Sequence, residues 1–237
     1  MDKNMRLKVI FEVSRCIVKN NMMIVSMIKE ALKVSSKEYY EKWYEDRVLK
    51  DFTFATRAND LTVEDDCFIN SNELILVISA YSYETLVVLY NAFLTKKNFY
   101  YKGVEVKVKK IFIINEDEIK NNIAIFDTMS PIYIVDKNKR RILFNEDGFE
   151  RELNYICDVI LKEIRGYGLK ENVRFTALSM KDVVVRVEFG KFNKDSYFAS
   201  SKGRFALSAD KEDLNALSKT GIGFLRSIGL GCVSQVK

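Results

Sequence analysis

The sequence predicts an α+β fold: two tandem βαββαβ units followed by a C-terminal glycine-rich loop, within 237 residues. Three observations carry that expectation. Apolar residues alternate with a period of two in some segments and recur at spacings of three and four in others, in the order β-α-β-β-α-β. The same order then runs through the second half. Finally, four of the ten glycines fall in the stretch "GIGFLRSIGLG", Gly221 to Gly231.

The elements follow in chain order. "RLKVIFEV" (Arg6 to Val13) alternates as a strand, and "NNMMIVSMIKEALKV" (Asn20 to Val34) switches to helical spacing with an Asn start. "FTFATRA" and "ELILVISA" read as strands, "SYETLVVLYNAFL" (Ser82 to Leu94) as a helix capped by Ser82, and "VEVKVKKIFIIN" (Val104 to Asn115) as a long strand. That order is the ferredoxin-like, RRM-like unit. In the second half "IAIFDTMSPIYIVD" opens the unit and "FERELNYICDVILKEIRGYG" (Phe149 to Gly168) is its helix. "RFTALSM", "DVVVRVEFG" and "YFASSKGRFALSA" are read as strands, "DKEDLNALSKTG" as a last helix capped by Asp210, and "GCVSQV" as a closing strand. The copies join near Asn115 to Asn122, which gives domains 1–118 and 119–237.

Composition narrows the class. With 48% hydrophobic residues, 30% charged and a single proline, the chain is expected to fold nearly throughout. No apolar run reaches the roughly 18 residues of a membrane span, and the N-terminus reads as a charged strand instead of a signal peptide, so no membrane partner and a cytoplasmic location are expected. Cys16, Cys67, Cys157 and Cys232 form no CxxC pair and histidine is absent, so a zinc site lacks its usual ligands. The cysteines read as reduced core residues, and no metal or cofactor is expected. Acidic groups at Asp65-Asp66 and "NEDE" (Asn115 to Glu118) read as solvated turns. The net charge of +5 is compatible with a polyanionic partner without requiring one.

Glycine-rich loops raise the question of phosphate binding. Here the spacing G-x-G-x5-G-x-G follows a helical pattern near the chain's end, so a dinucleotide-binding βαβ unit is excluded. Leu230 after Gly229 excludes a Walker-type loop, which needs Lys and then Ser/Thr. What remains is a loop whose glycines turn at positive φ or let another backbone approach, with Arg226 and Ser227 in its middle. Such a loop suits either an RNA backbone or the tight packing of two sheets.

The loop "GIGFLRSIGLG" at the end of two ferredoxin-like units resembles that of the CRISPR-associated repeat-processing endoribonucleases of the RAMP superfamily. "KDFTFATR" (Lys50 to Arg57) resembles the family's Lys-x-Phe-Thr-Phe-Ser strand, with Ala55 where Ser is usual, and "MSPIYIVD" its Ser-Pro strand. "SSKGRFAL" resembles the basic hairpin before the final helix. The resemblance implies a CRISPR repeat RNA or precursor crRNA as partner, with other CRISPR-associated proteins in some cases, as monomer or homodimer. It also implies metal-independent cutting at the base of the repeat stem to leave a 2′,3′-cyclic phosphate. Under it, Lys202 and Arg204 at the hairpin, and Gly221, Gly223, Arg226, Ser227, Gly229 and Gly231 of the loop, hold RNA.

One departure bears on chemistry. The family's catalytic histidine falls between the first helix and the "FTF" strand, where this chain reads "SSKEYYEKWYEDRVLKDFTF", and Tyr44 stands nearest that place. The catalytic candidates are Tyr44 as weak base or positioning hydroxyl, Tyr40 as its alternate, and Lys50 for developing negative charge. A tyrosinate base requires a lowered pKa. Tyr40, Trp43 and Tyr44 also have the spacing of one packed aromatic helix face. The alternatives are a non-cleaving RNA-binding relative or complex subunit of the same fold, and a protein-interaction domain that needs no RNA.

Overall fold

The computed structural model describes residues 4–236 except 14–15, 18–20, 47, 59–61, 65–66, 70–72 and 190–193. Asp65-Asp66 and the Asn20 helix start lie outside the described residues. In order, the first half holds β1 (Asn4–Val13), β2 (Cys16–Ile17), α1 (Asn21–Ser35), α2 (Lys37–Tyr40), a π-helical turn (Glu41–Glu45), β3 (Phe52–Ala58), β4 (Thr62–Glu64), β5 (Cys67–Ile69), β6 (Glu73–Ala80), α3 (Tyr83–Thr95), β7 (Asn98–Tyr101) and β8 (Val104–Glu116). The second half holds β9 (Ile123–Thr128), β10 (Ile134–Val135), β11 (Arg141–Ile142), α4 (Phe149–Arg165), β12 (Arg174–Phe189), β13 (Lys194–Ser208), α5 (Lys211–Thr220), a 3-10 turn (Arg226–Ile228) and β14 (Val233–Gln235).

The two principal sheets repeat one topology. The first runs β3-β6-β1-β8-β7 and the second β12-β13-β9-β14. In each, the opening strand lies between the third and fourth strands of its βαββαβ unit and all neighbours are antiparallel. This is the ferredoxin-like arrangement, present twice. Period and partner agree in both layers. Leu7, Val9 and Phe11 of β1 point at Ile24, Ile28 and Leu32 of α1 and at Leu89 and Phe93 of α3 in one apolar cluster. Phe126 and Phe205 meet Leu153, Ile160, Leu214 and Leu217 in the other. Ser82 caps α3 by accepting from the Glu84 and Thr85 amides, and Asp210 caps α5 by accepting from Glu212 at 2.8 Å.

Three sequence expectations are corrected. "RFTALSM" and "DVVVRVEF" are one strand, β12, whose register shifts between Ala177 and Ser179 where it pairs with β13. A bulge absorbs the broken alternation. "SSKGRFAL" is the interior of β13 and not a hairpin tip, so Lys202 and Arg204 stand mid-strand opposite Lys181 and Ser179. Glu116 of "NEDE" is no solvated turn residue: it ends β8 and accepts from Arg6 Nε at 2.6 Å. Cys157 and Cys232 are buried free thiols, while the side chains of Cys16 and Cys67 lie outside the described set. Among the described residues no helix is long and apolar enough to cross a membrane.

Arg6 joins the two sheets. Only 2% exposed, it also donates to the Val233 carbonyl at 2.6 Å and to the Ser218 carbonyl, beside Met129 and Cys232 sulfurs. Removing one member of a buried, hydrogen-bonded charge pair costs about 3–5 kcal/mol, because the partners left behind stay desolvated. Arg6→Ala is therefore expected to lower stability by about 3 kcal/mol in denaturant unfolding, whereas Lys107→Ala, on the exposed side of β8, changes it by less than about 0.5 kcal/mol.

Candidate functional site

The glycine loop sits between the sheets. Gly221, Gly223, Gly229 and Gly231 are all buried and all at positive φ. Their missing Cβ positions fall against protein: 2.7 Å from Thr53 Cγ2 at Gly221, 2.7 Å from the Tyr133 carbonyl at Gly223, 2.5 Å from the Phe54 ring at Gly229 and 2.0 Å from the Ile222 carbonyl at Gly231. The backbone is satisfied internally. Gly231 N donates to Pro131 O at 2.8 Å, Phe224 N to Tyr133 O, and Ile222 N to Gly231 O, while Thr53 Oγ1 donates to Leu230 O at 2.8 Å. Asn21 at the start of α1 reaches Gly229 O. Loop, Ser-Pro segment and β3 thus form one hydrogen-bonded seam.

Arg226 is inside this seam. Its guanidinium donates to the Thr220 and Lys50 carbonyls, and burial lowers its pKa to about 10. From the sequence, Arg226 and Ser227 are expected in the middle of a loop that suits either an RNA backbone or two packed sheets. In the structure Arg226 is buried, and Ser227 stands half-buried at the rim of a cleft described below.

The segment after α1 brings the catalytic candidates together in two aromatic stripes instead of one. Tyr39 and Trp43, 5.1 Å apart, point into the core, while Tyr40 and Tyr44, 5.8 Å apart, form a half-buried pair on the neighbouring face. Cations gather over that pair. Lys50 Nζ is 4.6 Å from the Tyr44 ring centre, Lys29 is 5.4 Å from it and 5.8 Å from Tyr40, and Lys33 is 6.0 Å from Tyr40. Lys29 and Lys33 were not singled out from the sequence. They belong to the polar side of an amphipathic helix, and only the tertiary placement of Tyr40 and Tyr44 sets them apart.

Titration separates these residues. Burial pushes the Tyr44 phenol well above the ordinary tyrosine value, with Tyr40 adding to the shift, which is opposite to what a tyrosinate base requires. Burial and the nearby charge of Lys29 lower the Lys50 pKa. Next to it, Asp51 is held by Ser82 N and by Thr85 Oγ1.

On the second sheet, Arg204 is engaged by Asp127 through two bonds of 2.8 and 2.9 Å. Lys202 is exposed and lines a 220 Å³ cleft between the units with Asn21, Ser130, Pro131, Val184 and Gly229. It stands directly across from Lys181, also exposed. Like charges opposed on neighbouring strands repel.

The model described as "CRISPR associated protein Cas6, C-terminal" matches residues 114–235, just over half of the chain. The chain belongs to the Cas6 family. Its fold is similar to that of a Cas6-related protein from Pyrococcus furiosus (TM-score 0.84, 20% identity, 99% of both chains). It is also similar to a RAMP protein described as binding different RNA substrates (0.82, 19%, 98% of this chain and 100% of that one) and to a Cas6 solved as a product complex (0.73, 12%, 98% and 100%). No curated protein matches the chain. The matches to these solved structures cover both ferredoxin-like units.

Gly231→Ala places a Cβ against a carbonyl at a left-handed φ, and is expected to cost about 3 kcal/mol in denaturant unfolding. Gly166→Ala, also left-handed but with open space around it, should cost only about 1 kcal/mol. The seam therefore makes glycine substitution an assay of folding before it is an assay of RNA contact.

Proposed function

We propose that this chain binds the repeat of a CRISPR precursor transcript and cuts it at the base of its stem by metal-independent 2′-oxygen attack, leaving a 2′,3′-cyclic phosphate. In this reading, residues 1–118 and 119–237 are its two domains. The observation that carries the proposal is the Lys50–Tyr44–Tyr40 cluster with Lys29, beside the glycine loop. Membership of the Cas6 family supports it, as do the similar RAMP protein described as binding different RNA substrates and the Cas6 solved as a product complex.

The reaction needs the 2′-oxygen in line with the leaving 5′-oxygen, stabilised charge on the non-bridging oxygens, and a proton acceptor. Lys50 is assigned the acceptor role, since its lowered pKa makes the neutral amine available at lower pH than in an ordinary lysine. The 2′-oxygen to phosphorus bond forms as its proton passes to Lys50, and the phosphorus to 5′-oxygen bond breaks with a proton supplied by water. Tyr44 keeps its proton and positions a phosphate oxygen by donating to it, with Tyr40 beside it. Lys29 is assigned to the developing charge. Lys202, Lys181 and the glycine loop face the rest of the RNA, the loop mainly by holding its neighbours in place.

The absence of histidine and the direction of the Tyr44 shift favour a second reading, an RNA-binding member that does not cut. A denaturing gel with end-labelled repeat RNA in EDTA, beside the same RNA with a 2′-deoxy at the cut, separates the two. The proposal expects one cut that the deoxy sugar abolishes; binding of both RNAs with neither cut would establish the second reading.

Lys50→Ala is expected to slow cleavage by about 10²–10⁴-fold, the range of general acid–base help. The wild-type rate should rise with pH, as the neutral amine forms, and level off below the pH at which an ordinary lysine titrates. Lys50→Arg stays charged throughout and should remove that rise. Lys202→Ala should weaken RNA binding and lower the slope of log affinity against log salt by about one.

A further inference from the structure

A cleft of 430 Å³ lies between Trp43 and residues 48–50, one side of α4 and the glycine loop. Its volume is in the range of small-ligand sites. Most of its wall is apolar: Trp43, Val48 and Leu49 on one side, Ile160 and Phe224 on the other. Two of these are left in water, Val48 at 45% exposure and Leu49 at 36%. Among the described residues that line it the charged groups are cations, Lys50 and the buried Arg226, with Ser227 beside them and no carboxylate. Asp51, the nearest acid in sequence, is turned to Ser82 and Thr85. Leu225 is held at φ +59° in the wall, a left-handed conformation that costs a leucine energy.

A cleft lined by apolar side chains and two cations suits a flat apolar body that carries an anion. We propose that this cleft receives one unpaired nucleotide of the RNA, its base between the apolar walls and its phosphate at Lys50. The proposal rests on the RNA-binding reading above. Lys50 belongs both to this cleft and to the Tyr44 cluster, so the captured nucleotide borders the phosphate to be cut. Extruding a nucleotide fixes the backbone on one side of that phosphate, which brings the 2′-oxygen toward the in-line position. Apolar and aromatic walls accept any base face, so the pocket positions without reading sequence.

Trp43 is the only tryptophan in the chain and lines the cleft, so its fluorescence reports occupancy. With the full-length protein, adenosine 5′-monophosphate is expected to change that fluorescence saturably at millimolar concentration, and inorganic phosphate to leave it nearly unchanged. Leu49→Glu sets a carboxylate beside the phosphate site and should weaken the effect about tenfold. Should that variant fail to fold by circular dichroism, Val48→Glu at the more exposed position carries the same expectation. An absent response to the nucleotide, or an equal one in the folded Glu variant, would overturn the proposal. In a second arm, 2′-deoxy repeat RNA lacking the base on either side of the cut phosphate is compared with intact RNA. One of the two should bind about tenfold more weakly. Equal affinity of all three would mean that the cleft serves a free nucleotide, and would overturn the assignment to RNA. Because the deoxy RNA is not cleavable, failure of the cleavage reading leaves this result readable.

Discussion

The close approach of the 221–231 backbone to β3 and to the Ser-Pro segment is the constraint on which the rest of the molecule depends. A buried loop carries amides and carbonyls that must all find partners. Here they find them on both sides at once, at Pro131 and Tyr133 of the second unit and Thr53 of the first. A side chain at Gly221 would meet Thr53, and one at Gly223 the Tyr133 carbonyl, and either would hold those partners apart. Both clefts that carry functional proposals are walled in part by this loop, and Lys50 lies just before β3, the strand the loop grips. Glycine at these positions sets distances between the two units, and the positions of Lys50 and Lys202 follow from those distances.

The electrostatics are built on the same seam. Arg6 and Arg226 both stabilise it from inside, but differently: Arg6 has the Glu116 carboxylate, while Arg226 is held mainly by carbonyls. Even lowered to about 10, the Arg226 pKa leaves the guanidinium charged at neutral pH. Lys29 lies close enough to Lys50 to lower its pKa, so the free protein holds like charges at short range. A polyanion relieves that repulsion, so binding energy is stored in the unliganded arrangement.

The double βαββαβ order, both N-caps and the long β8 were legible because each rests on local periodicity or on a single capping side chain. The continuity of β12 was not. Ser179 to Asp182 break the apolar alternation, and only pairing with β13 carries the strand through them. The same long-range pairing moved Lys202 and Arg204 from an expected hairpin tip to mid-strand. In the site, the spacing of the glycines was readable but the direction they face was not, since positive φ serves a phosphate and a neighbouring backbone equally. The burial of Arg226 was not readable, because sequence carries no sign of which guanidinium will be enclosed. Lys29 and Lys33 were hidden for the opposite reason, resembling an ordinary solvated helix face until Tyr40 and Tyr44 were seen above them.

Without an imidazole, the chemistry assigned to this site depends on lysine and is limited by it. Burial and Lys29 lower the Lys50 pKa in the free protein, yet a phosphate bound beside Lys50 favours its charged form and raises that pKa again. One amine therefore cannot be best at holding the phosphate and at accepting the proton. Lys29 eases this conflict, because a second cation can carry the phosphate charge while Lys50 is neutral. What acid–base strength is lost must come from geometry, and alignment of the reacting atoms contributes on a larger scale, roughly 7–11 kcal/mol at its limit. For the proposed reaction, a site that fixes the nucleotide beside the reacting phosphate would thus be worth more than a better base.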